Sequence, residues 1–481
     1  MDLAGFRRSL RGDDIMARLR GGLIGEGVPV PGPFGEHPLV YADYTASGRA
    51  LRPVEDFIAE HVLPYYANSH TEASFCGARM TALRAEARSV IAKAVNTGPD
   101  ETVIFTGAGA TSAVNRLVSL LALDNSRAIR PLVLIGPYEH HSNILPWRES
   151  GAEVIEIPEA ECGGPDLVEL ELMLVRQPAE RLVVGAFSAA SNVTGIKTDV
   201  DAVTALLKRY GALAVWDYAG GGPYLPIDMN PGEGLEKDAV FLSPHKFPGG
   251  PGASGVLIVR NNAVGRSRPT WPGGGTISFV SPWGHDYAAS LAAREEAGTP
   301  NVIGDIRAAL AFIVKDAVGE DFIARRDREL TKRAFTAWNG HPCIEILASN
   351  RRDRLPIFSI RLFDENGRPI HQQLATRMLS DFYGIQARGG CACAGPYAHR
   401  LLGIGREASD VMRASILSGR EIEKPGWCRL NFGYLIDDET ADFILRSVMD
   451  LTKKAVDCLP HYQSDEATAR FRHEKEAAAI G

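Results

Sequence analysis

Residues 238–252 read DAVFLSPHKFPGGPG, and the rest of the chain is organised around this stretch. A short apolar run of strand length ends in a Ser-Pro-His-Lys turn, and a glycine-rich loop follows. The turn places Lys246 at a strand end, beside backbone that a ligand can approach closely because glycine has no side chain. A lysine held in a dry pocket loses affinity for its proton and becomes a nucleophile that can form a Schiff base with an aldehyde. The alternative is an ordinary surface lysine. The residues upstream of the turn decide between these two interpretations of Lys246.

Composition sets the outer bounds. The chain has 481 residues, of which 45% are apolar and 49 are glycine, so it can form a large globular core, most simply as two domains. The formal net charge of −7 gives no basic surface for nucleic acid, and no apolar run reaches the length of a membrane span. Seven scattered cysteines predict reduced thiols rather than a secreted disulfide framework, and the N-terminus lacks the apolar segment of a signal peptide. We therefore expect a cytoplasmic protein without nucleic-acid or membrane partners.

Strand-like runs alternate with helical stretches between residues 39 and 301. The strand-like runs are Thr102–Phe105, Pro131–Ile135, Arg181–Phe187, Leu213–Trp216, Ala239–Leu242 and Gly255–Val259. The clearest helical stretches are Thr111–Leu123 and Val200–Tyr210. This alternation predicts a large α/β domain with a mostly parallel sheet covered by helices.

The remaining segments are assigned by pattern as well. Residues 302–462 combine longer helices with shorter strands, which predicts a smaller α+β domain. Residues 1–38 predict an N-terminal arm with an amphipathic helix over Phe6–Leu23. Residues 463–481 form a charged tail for which we expect a solvated helix or disorder.

The turn Thr106–Ser112 follows one predicted strand and opens a helix. Its residues are small, so the amide groups at the helix N-terminus are accessible and predict a phosphate site. A dinucleotide fingerprint is the competing interpretation because Gly107 and Gly109 match its start, but Ser112 stands where the third glycine is needed.

The segment Glu139-His140-His141-Ser142-Asn143 follows the next predicted strand. At a strand end, the His140 imidazole can lie flat on an aromatic cofactor ring. A pair of hydrogen-bonded loop histidines is the plain alternative. A two-histidine metal site is disfavoured, because no third ligand stands at a suitable spacing.

Two further polar residues follow strands. Asp217 needs a cationic partner if it is buried, and the ring nitrogen of a pyridoxal cofactor would supply one; capping a helix or binding Mg²⁺ are the alternatives. Asn192 provides an amide after the strand Arg181–Phe187. Together, successive strand ends deliver a phosphate cradle, an imidazole, an amide, an aspartate and a lysine, which describes one site at the carboxyl edge of a sheet.

As an ordered set, these motifs resemble those of class V aminotransferase-fold enzymes. This group of pyridoxal phosphate-dependent transferases of fold type I includes cysteine desulfurases and selenocysteine lyases, and the resemblance covers about Val40 to Phe432. It implies that Lys246 forms the Schiff base with pyridoxal 5'-phosphate. The other implied cofactor contacts are His140 stacked on the ring, Asp217 at the pyridine nitrogen, Asn192 at the phenolic oxygen, and Ala110, Thr111, Ser243 and His245 at the phosphate. The resemblance also implies a homodimer with shared active sites, in which Gly273–Thr276 reaches the phosphate bound by the partner subunit.

The loop 388–396 bears on the reaction type. It reads RGGCACAGP, so an arginine that can bind a carboxylate bidentately precedes two cysteines on a glycine-rich segment. By the resemblance, Cys393 is the nucleophile, Cys391 is a second thiol, and Arg388 and Arg429 bind the substrate carboxylate. The Cys-x-Cys pattern also resembles molybdenum cofactor sulfurases. Inert cysteines in a tight loop are the alternative, and a metal pair is disfavoured because two thiols do not complete a tetrahedral site.

The sequence therefore predicts a cysteine desulfurase that transfers sulfur from L-cysteine to an enzyme persulfide and releases alanine, with a sulfur-acceptor protein as an expected partner. The alternatives are a class V aminotransferase, epimerase or β-lyase, a non-enzymatic sulfur-carrier protein, and a nucleotide-binding dehydrogenase. Two features depart from the desulfurase pattern. Gly220 replaces the glutamine of the usual Asp-x-Ala-Gln, for which Asn192 or Tyr218 is expected to compensate, and residues 403–426 are extra.

Overall fold

The computed structural model describes residues 1–69, 71–123 and 129–475. Contacts within the chain divide it into two compact units. The first unit contains Met1–Ile24, Ser47–Ala190 and Thr198–Phe322, and the second contains Gly25–Ala46, Ser191–Lys197 and the chain from Ile323 onward. The helix Val302–Val318, which the sequence places at the start of the smaller domain, packs on Phe75–Ala94 in the first unit.

A seven-stranded sheet forms the centre of the first unit. In chain order its strands are Glu101–Gly107, Leu132–Ile135, Glu153–Glu156, Val183–Ser188, Leu213–Asp217, Ala239–Leu242 and Gly255–Arg260. Across the sheet they lie in the order first, seventh, sixth, fifth, fourth, second, third. The seventh strand runs antiparallel to both of its neighbours, and the remaining neighbours pair in parallel. The predicted α/β fold class with a mostly parallel sheet is confirmed.

The central strands of this sheet read as continuous apolar runs because both of their faces are buried. The strand Glu153–Glu156, at one end of the sheet, is only half-buried. Every residue of Leu132–Ile135, Val183–Ser188 and Ala239–Leu242 is buried. The helices of this unit are Leu3–Ser9, Ile15–Gly21, Arg52–Phe57, Phe75–Ala94, Gly109–Leu120, Leu145–Glu149, Leu167–Val175, Val200–Arg209, Leu291–Glu295 and Val302–Val318. A hairpin of Ile277–Ser281 and Gly284–Tyr287 completes it.

The prediction of one N-terminal helix over Phe6–Leu23 is wrong. The chain forms two helices, Leu3–Ser9 and Ile15–Gly21. Gly12 lies between them with φ +123°, a backbone conformation that a helix cannot contain and that glycine adopts without steric cost. Hydrophobic periodicity continued across this break, so the pattern alone did not reveal it.

The second unit is built on a five-stranded antiparallel sheet. Its main path runs Ile344–Ile346, Ile357–Phe363, Trp427–Asn431, Arg388–Gly390, and Pro369–Ile370 pairs with the second of these. The helices of this unit are Gln372–Tyr383, Gly395–Leu401, Arg406–Leu417, Asp438–Cys458 and most of Glu320–Trp338. Phe358, Leu430 and Trp338 lie in its hydrophobic core. This is the predicted smaller α+β arrangement.

The C-terminal tail is ordered over part of its length. Tyr462–Asp465 and Arg470–His473 form a hairpin, so the expectation of a helix or disorder is wrong for residues 463–473. The Tyr462 hydroxyl group donates a hydrogen bond of 2.9 Å to buried Asp381, and the rings of Tyr462 and His473 meet edge to face. These tertiary contacts outweigh the polar composition on which the expectation rested. Residues 476–481 lie outside the described part of the chain.

Three further observations concern function. Within residues 1–69, 71–123 and 129–475, no helix combines the length and apolar character needed to cross a membrane. Over the same residues, no group of three or more His, Cys, Asp or Glu side chains is placed to hold a metal ion. All seven cysteines are free thiols.

Candidate active site

Lys246 ends a tight turn at the carboxyl end of the strand Ala239–Leu242, inside the large sheet. The strand Ala239–Leu242 leads into the single-turn helix Pro244–Lys246, and the Lys246 N–H group donates to the Ser243 carbonyl oxygen at 3.0 Å. Behind the turn, a Cβ atom at Gly250 would lie 1.9 Å from the Pro244 carbonyl oxygen. Only glycine fits there, so the loop backbone packs directly against the turn and holds the half-buried lysine in place.

Asp217 ends the strand that runs parallel to the lysine strand, so both side chains belong to the same edge of the sheet. Burial raises the pKa of Asp217 to about 6, whereas a hydrogen bond from the Ala219 N–H group (2.6 Å) and the positive charge of Lys246 oppose this increase. A buried acid in this position is stabilised as an anion by a further cationic partner, such as a protonated ring nitrogen.

The helix Gly109–Leu120 begins beside the lysine turn. The Ala110 N–H group donates to the Ser243 hydroxyl oxygen at 2.9 Å. Gly109 has φ +60°, and a Cβ atom there would lie 3.1 Å from the Ser243 hydroxyl oxygen and 3.5 Å from Nε2 of His245. Any side chain at Gly109 would therefore crowd this pocket at the helix N-terminus. Burial and the charge of Lys246 lower the pKa of His245 to about 4, so its imidazole is neutral near pH 7.

His140 is connected to the same helix start through two hydroxyl groups. Nδ1 of His140 lies 3.1 Å from both the N–H group and the hydroxyl oxygen of Ser142, and the Ser142 hydroxyl group shares a 2.7 Å hydrogen bond with that of Thr111. These hydrogen bonds connect the imidazole predicted to stack on the cofactor ring to the predicted phosphate site.

Two other predicted cofactor residues make different contacts. The Thr276 hydroxyl group donates to the Gly273 carbonyl oxygen at 2.7 Å and is buried in its own loop. Asn192 belongs to the second unit, where its Nδ2 donates to the Ala392 carbonyl oxygen at 2.8 Å. The expected compensation for Gly220 by Asn192 or Tyr218 stays a prediction.

In the second unit, the two predicted carboxylate-binding arginines are neighbours. Arg388 and Arg429 face each other across antiparallel strands. Asp43 lies between them, with Oδ2 at 2.9 Å from Nε of Arg388 and Oδ1 at 2.8 Å from Nη2 of Arg429. Sequence reasoning missed Asp43, because nothing in its local pattern links it to residues about 345 and 386 positions away.

The predicted nucleophile lies on a strained turn. The Ala394 N–H group donates to the Cys391 carbonyl oxygen at 3.2 Å, and the two central residues, Ala392 and Cys393, have φ of +53° and +55°. Positive φ at both central positions is typical of type I′ turns, which favour Asn and Gly. Each residue with a side chain held there costs about 1 kcal/mol or more. Cys393 is exposed and Cys391 is half-buried.

A family model for class V aminotransferases matches residues 40–423. The chain belongs to the class V aminotransferase family. Among curated relatives of this family member, a cysteine desulfurase from Pectobacterium atrosepticum is 31% identical over 75% of this chain and 85% of the relative. A probable cysteine desulfurase from Streptomyces coelicolor is 29% identical over 76% of this chain and 85% of the relative.

Solved structures agree with the family fold. A cysteine desulfurase from Thermococcus onnurineus in its apo form superposes with a TM-score of 0.71 at 24% identity, covering 86% of this chain and 94% of the other. The cysteine desulfurase CsdA from Escherichia coli superposes with a TM-score of 0.69 at 21% identity, covering 90% and 98%. The predicted family, enzyme class and cofactor are confirmed, because class V aminotransferases depend on pyridoxal phosphate.

The residues of this family member fit that cofactor. The glycine at position 109 leaves a cradle for a phosphate beside Ser243 and His245, and the sheet edge carries both a buried acid, Asp217, and an amine, Lys246. Each group has the charge or hydrogen-bonding capacity that the phosphate, the ring nitrogen and the aldehyde require.

Glu139, for which the sequence pattern predicted no role, is a further residue near this site. Its carboxylate accepts hydrogen bonds from the N–H group (2.8 Å) and the hydroxyl group (2.6 Å) of Ser188, and from Nδ2 of Asn143 (2.5 Å). Ser188 pairs with Asp217 across the sheet. Burial and the charge of Asp217 raise the pKa of Glu139 to about 8, although these hydrogen bonds lower it.

Glu139 should make the apoprotein less stable as the pH rises. A group whose folded-state pKa lies above its unfolded value of 4.5 contributes stability below pH 4.5 and loses it as the pH rises through about 8. Asp217 acts in the same direction only up to about pH 6. We therefore expect the free energy of unfolding of the apoprotein in urea to fall by about 2 kcal/mol more between pH 6 and pH 8 in the wild type than in Glu139→Gln.

The matched control is Glu149→Gln, which changes an exposed glutamate near the same loop. It should retain the wild-type slope of unfolding free energy against pH. An equal slope in Glu139→Gln and in the wild type would contradict the assignment to Glu139.

Proposed function

We propose that this protein is a cysteine desulfurase that moves the sulfur of L-cysteine onto Cys393 and releases alanine. One observation carries the proposal: an exposed cysteine lies on a strained turn linked to a pair of arginines, in a chain of this family. Asn192 provides the link. Its side-chain amide donates to the Ala392 carbonyl oxygen in the turn, and its main-chain carbonyl oxygen accepts from Nη1 of Arg429 at 3.0 Å. The names of the relatives support the same activity.

The first unit would supply the acid–base chemistry. When bound, pyridoxal phosphate supplies an electron sink for negative charge at Cα of an amino acid. The amine of Lys246 takes the Cα proton onto Nζ. Asp217 would hold the ring nitrogen of the cofactor in its protonated form, because a buried carboxylate favours a cation beside it.

The second unit would supply substrate binding and the nucleophile. The guanidinium groups of Arg429 and Arg388 bind the α-carboxylate. The thiolate of Cys393 attacks the substrate sulfur, so that the carbon–sulfur bond breaks and a sulfur–sulfur bond forms. The electron pair of the broken bond stays on the substrate carbon, which takes up a proton, so the product is alanine. The enzyme keeps one sulfur atom as a persulfide for a sulfur-acceptor protein.

Product analysis tests this proposal. Purified holoenzyme incubated with L-cysteine should form alanine together with protein-bound persulfide, in equal amounts during the first turnover. Added pyruvate or another keto acid should have no effect on the rate. Amino transfer that depends on the keto acid, without persulfide, would favour the class V aminotransferase alternative instead.

We also propose that the enzyme is a cytoplasmic homodimer. The hairpin after the loop Gly273–Thr276 supports association of two copies, because Phe279, Val280 and Trp283 are exposed there and Trp283 is 92% exposed. Light scattering of the purified protein should give twice the mass of one chain, 52.0 kDa. The mass of a single chain at micromolar concentration would refute the dimer.

A further inference from the structure

A buried carboxylate of the chain itself occupies the space between the two arginines. Asp43 accepts from Nε of Arg388 and from Nη2 of Arg429, using a different oxygen atom for each. Asp43 and Arg429 are both buried, whereas the side chain of Arg388 is 51% exposed. A carboxylate so placed has the same charge and geometry as the group that the arginines are expected to bind.

The backbone holds Asp43 rigidly in this position. The strand Val40–Tyr41 pairs in parallel with Ile385–Gln386, two residues before Arg388. One step further, the Ala42 N–H group donates to Gln386 at 2.9 Å and the Ala42 carbonyl oxygen accepts from Asn431 at 2.8 Å. Asp43 is therefore fixed between the two segments that carry the arginines, and its position does not depend on the ion pairs alone.

The hydrogen bonds of Arg429 engage two of its three nitrogen atoms. Nη2 donates to Asp43 and Nη1 to the Asn192 carbonyl oxygen. Nε of Arg429 is buried and has no hydrogen-bond partner in the described part of the chain, and the same is true of Oδ1 of Asn192. Buried polar atoms are normally satisfied, so this Nε donor is available to a ligand that carries an acceptor, beside the ion pairs with Asp43.

The charges of the cluster add to a single positive charge. Burial lowers the pKa of Arg429 and the charge of Asp43 opposes that effect, while Arg388 acts in the same direction as burial. Without Asp43, two guanidinium groups would face each other with no counter-ion, which would attract doubly charged anions.

We propose that Asp43 is a positioning and specificity-determining residue of the substrate site. It orients the Arg429 guanidinium group and leaves the two-arginine cluster with one net positive charge, which matches an amino acid with one carboxylate. The inference rests on the proposed function in one respect, that these arginines bind the substrate carboxylate. It goes further in predicting that the site prefers amino acids with one carboxylate over those with two, such as aspartate.

Titration of the holoenzyme with propionate and malonate tests this selection. Neither anion has an amine, so neither can react with the cofactor, and they differ by one negative charge. In Asp43→Asn, calorimetry should show that the ratio of the propionate Kd to the malonate Kd increases about 10-fold over wild type. Asp43→Glu, which keeps the charge, should restore the wild-type ratio to within about 3-fold.

Two further variants give results that do not depend on Asp43→Asn folding. Arg388→Gln removes a half-exposed positive charge and should decrease the same ratio about 10-fold. Arg429→Ala should abolish binding of both anions, which assigns the titration to this cluster.

The control is Asp381→Asn, which removes another buried aspartate of the same unit, one paired with Arg377 at 2.7 Å. It should leave the ratio at its wild-type value. A wild-type ratio in Asp43→Asn or in Arg388→Gln, or binding that survives Arg429→Ala, would overturn the inference. Failure of L-cysteine to give alanine would sink the proposed function and leave these titrations unaffected, so the two failures can be told apart.

Discussion

Lys246→Arg should lower activity on L-cysteine about 10⁴-fold or more. The variant keeps a positive charge beside Asp217, so the electrostatic effect of residue 246 on the pKa of Asp217 is largely preserved. It loses the primary amine, and a guanidinium group stays protonated and can neither form a Schiff base nor take a proton from Cα. Borohydride treatment followed by mass spectrometry should attach the cofactor to residue 246 in the wild type and to no residue in the variant.

Lys208→Arg is the matched control. Lys208 lies in the same unit and pairs with buried Asp238 at 2.9 Å, a contact that arginine can also make. Activity within about 3-fold of wild type is expected, because exchange of one cation for another in an ion pair away from the cofactor residues costs little. Borohydride-stable attachment of the cofactor in Lys246→Arg would contradict the role of Lys246.

The second large effect is expected at Cys393. Cys393→Ala should decrease alanine formation from L-cysteine about 100-fold or more, which corresponds to roughly 2.7 kcal/mol of transition-state stabilisation. Because the thiol is exposed, its loss should change the unfolding free energy by less than about 0.5 kcal/mol. The absorption band of the bound cofactor should also be unchanged, since Lys246, and not Cys393, forms the Schiff base.

Cys391→Ala provides the comparison within the same turn. The Cys391 thiol is half-buried, and its loss should leave the first turnover of alanine within about 3-fold of wild type. Persulfide should be found on Cys393 of this variant by peptide mass spectrometry. Alanine formation at the full wild-type rate by Cys393→Ala would refute the nucleophile assignment.

Local pattern was sufficient for six of the seven strands of the large sheet. Those six contain short apolar runs, whereas Glu153–Glu156 begins and ends with glutamate, is only half-buried and was not predicted. Each predicted polar residue of the first unit follows a strand or opens a helix. Lys246, Asp217 and the start of the helix Gly109–Leu120 are joined by contacts at one sheet edge, because parallel strands present their carboxyl ends together. The order of motifs along the chain therefore carried most of the information about the cofactor site.

Residues that act through distant partners were not predictable in this way. Asp43 follows the short strand Val40–Tyr41 in a segment with no recognisable motif, and its importance depends on arginines hundreds of residues later. Glu139 was visible next to His140, but its raised pKa follows from burial and from Asp217, which belongs to another strand. The hairpin in the tail depends on Asp381 in the same manner. A single sequence contains no direct record of such pairings.

The turn Cys391–Ala394 has a consequence for how the thiol is used. Ala392 and Cys393 both have positive φ angles, which most residues with side chains avoid. The side-chain amide of Asn192 donates a hydrogen bond to the carbonyl oxygen of the peptide bond between them. If the hydrogen bond from Asn192 to the Ala392 carbonyl oxygen broke, Ala392 and Cys393 could return to more favourable backbone angles. The Cys393 sulfur atom would then change position. Asn192 holds the turn through its side chain and accepts a hydrogen bond from Arg429 through its main-chain carbonyl oxygen. An anion bound to Arg429 is therefore connected, through Asn192, to the contact that keeps Cys393 in its strained conformation.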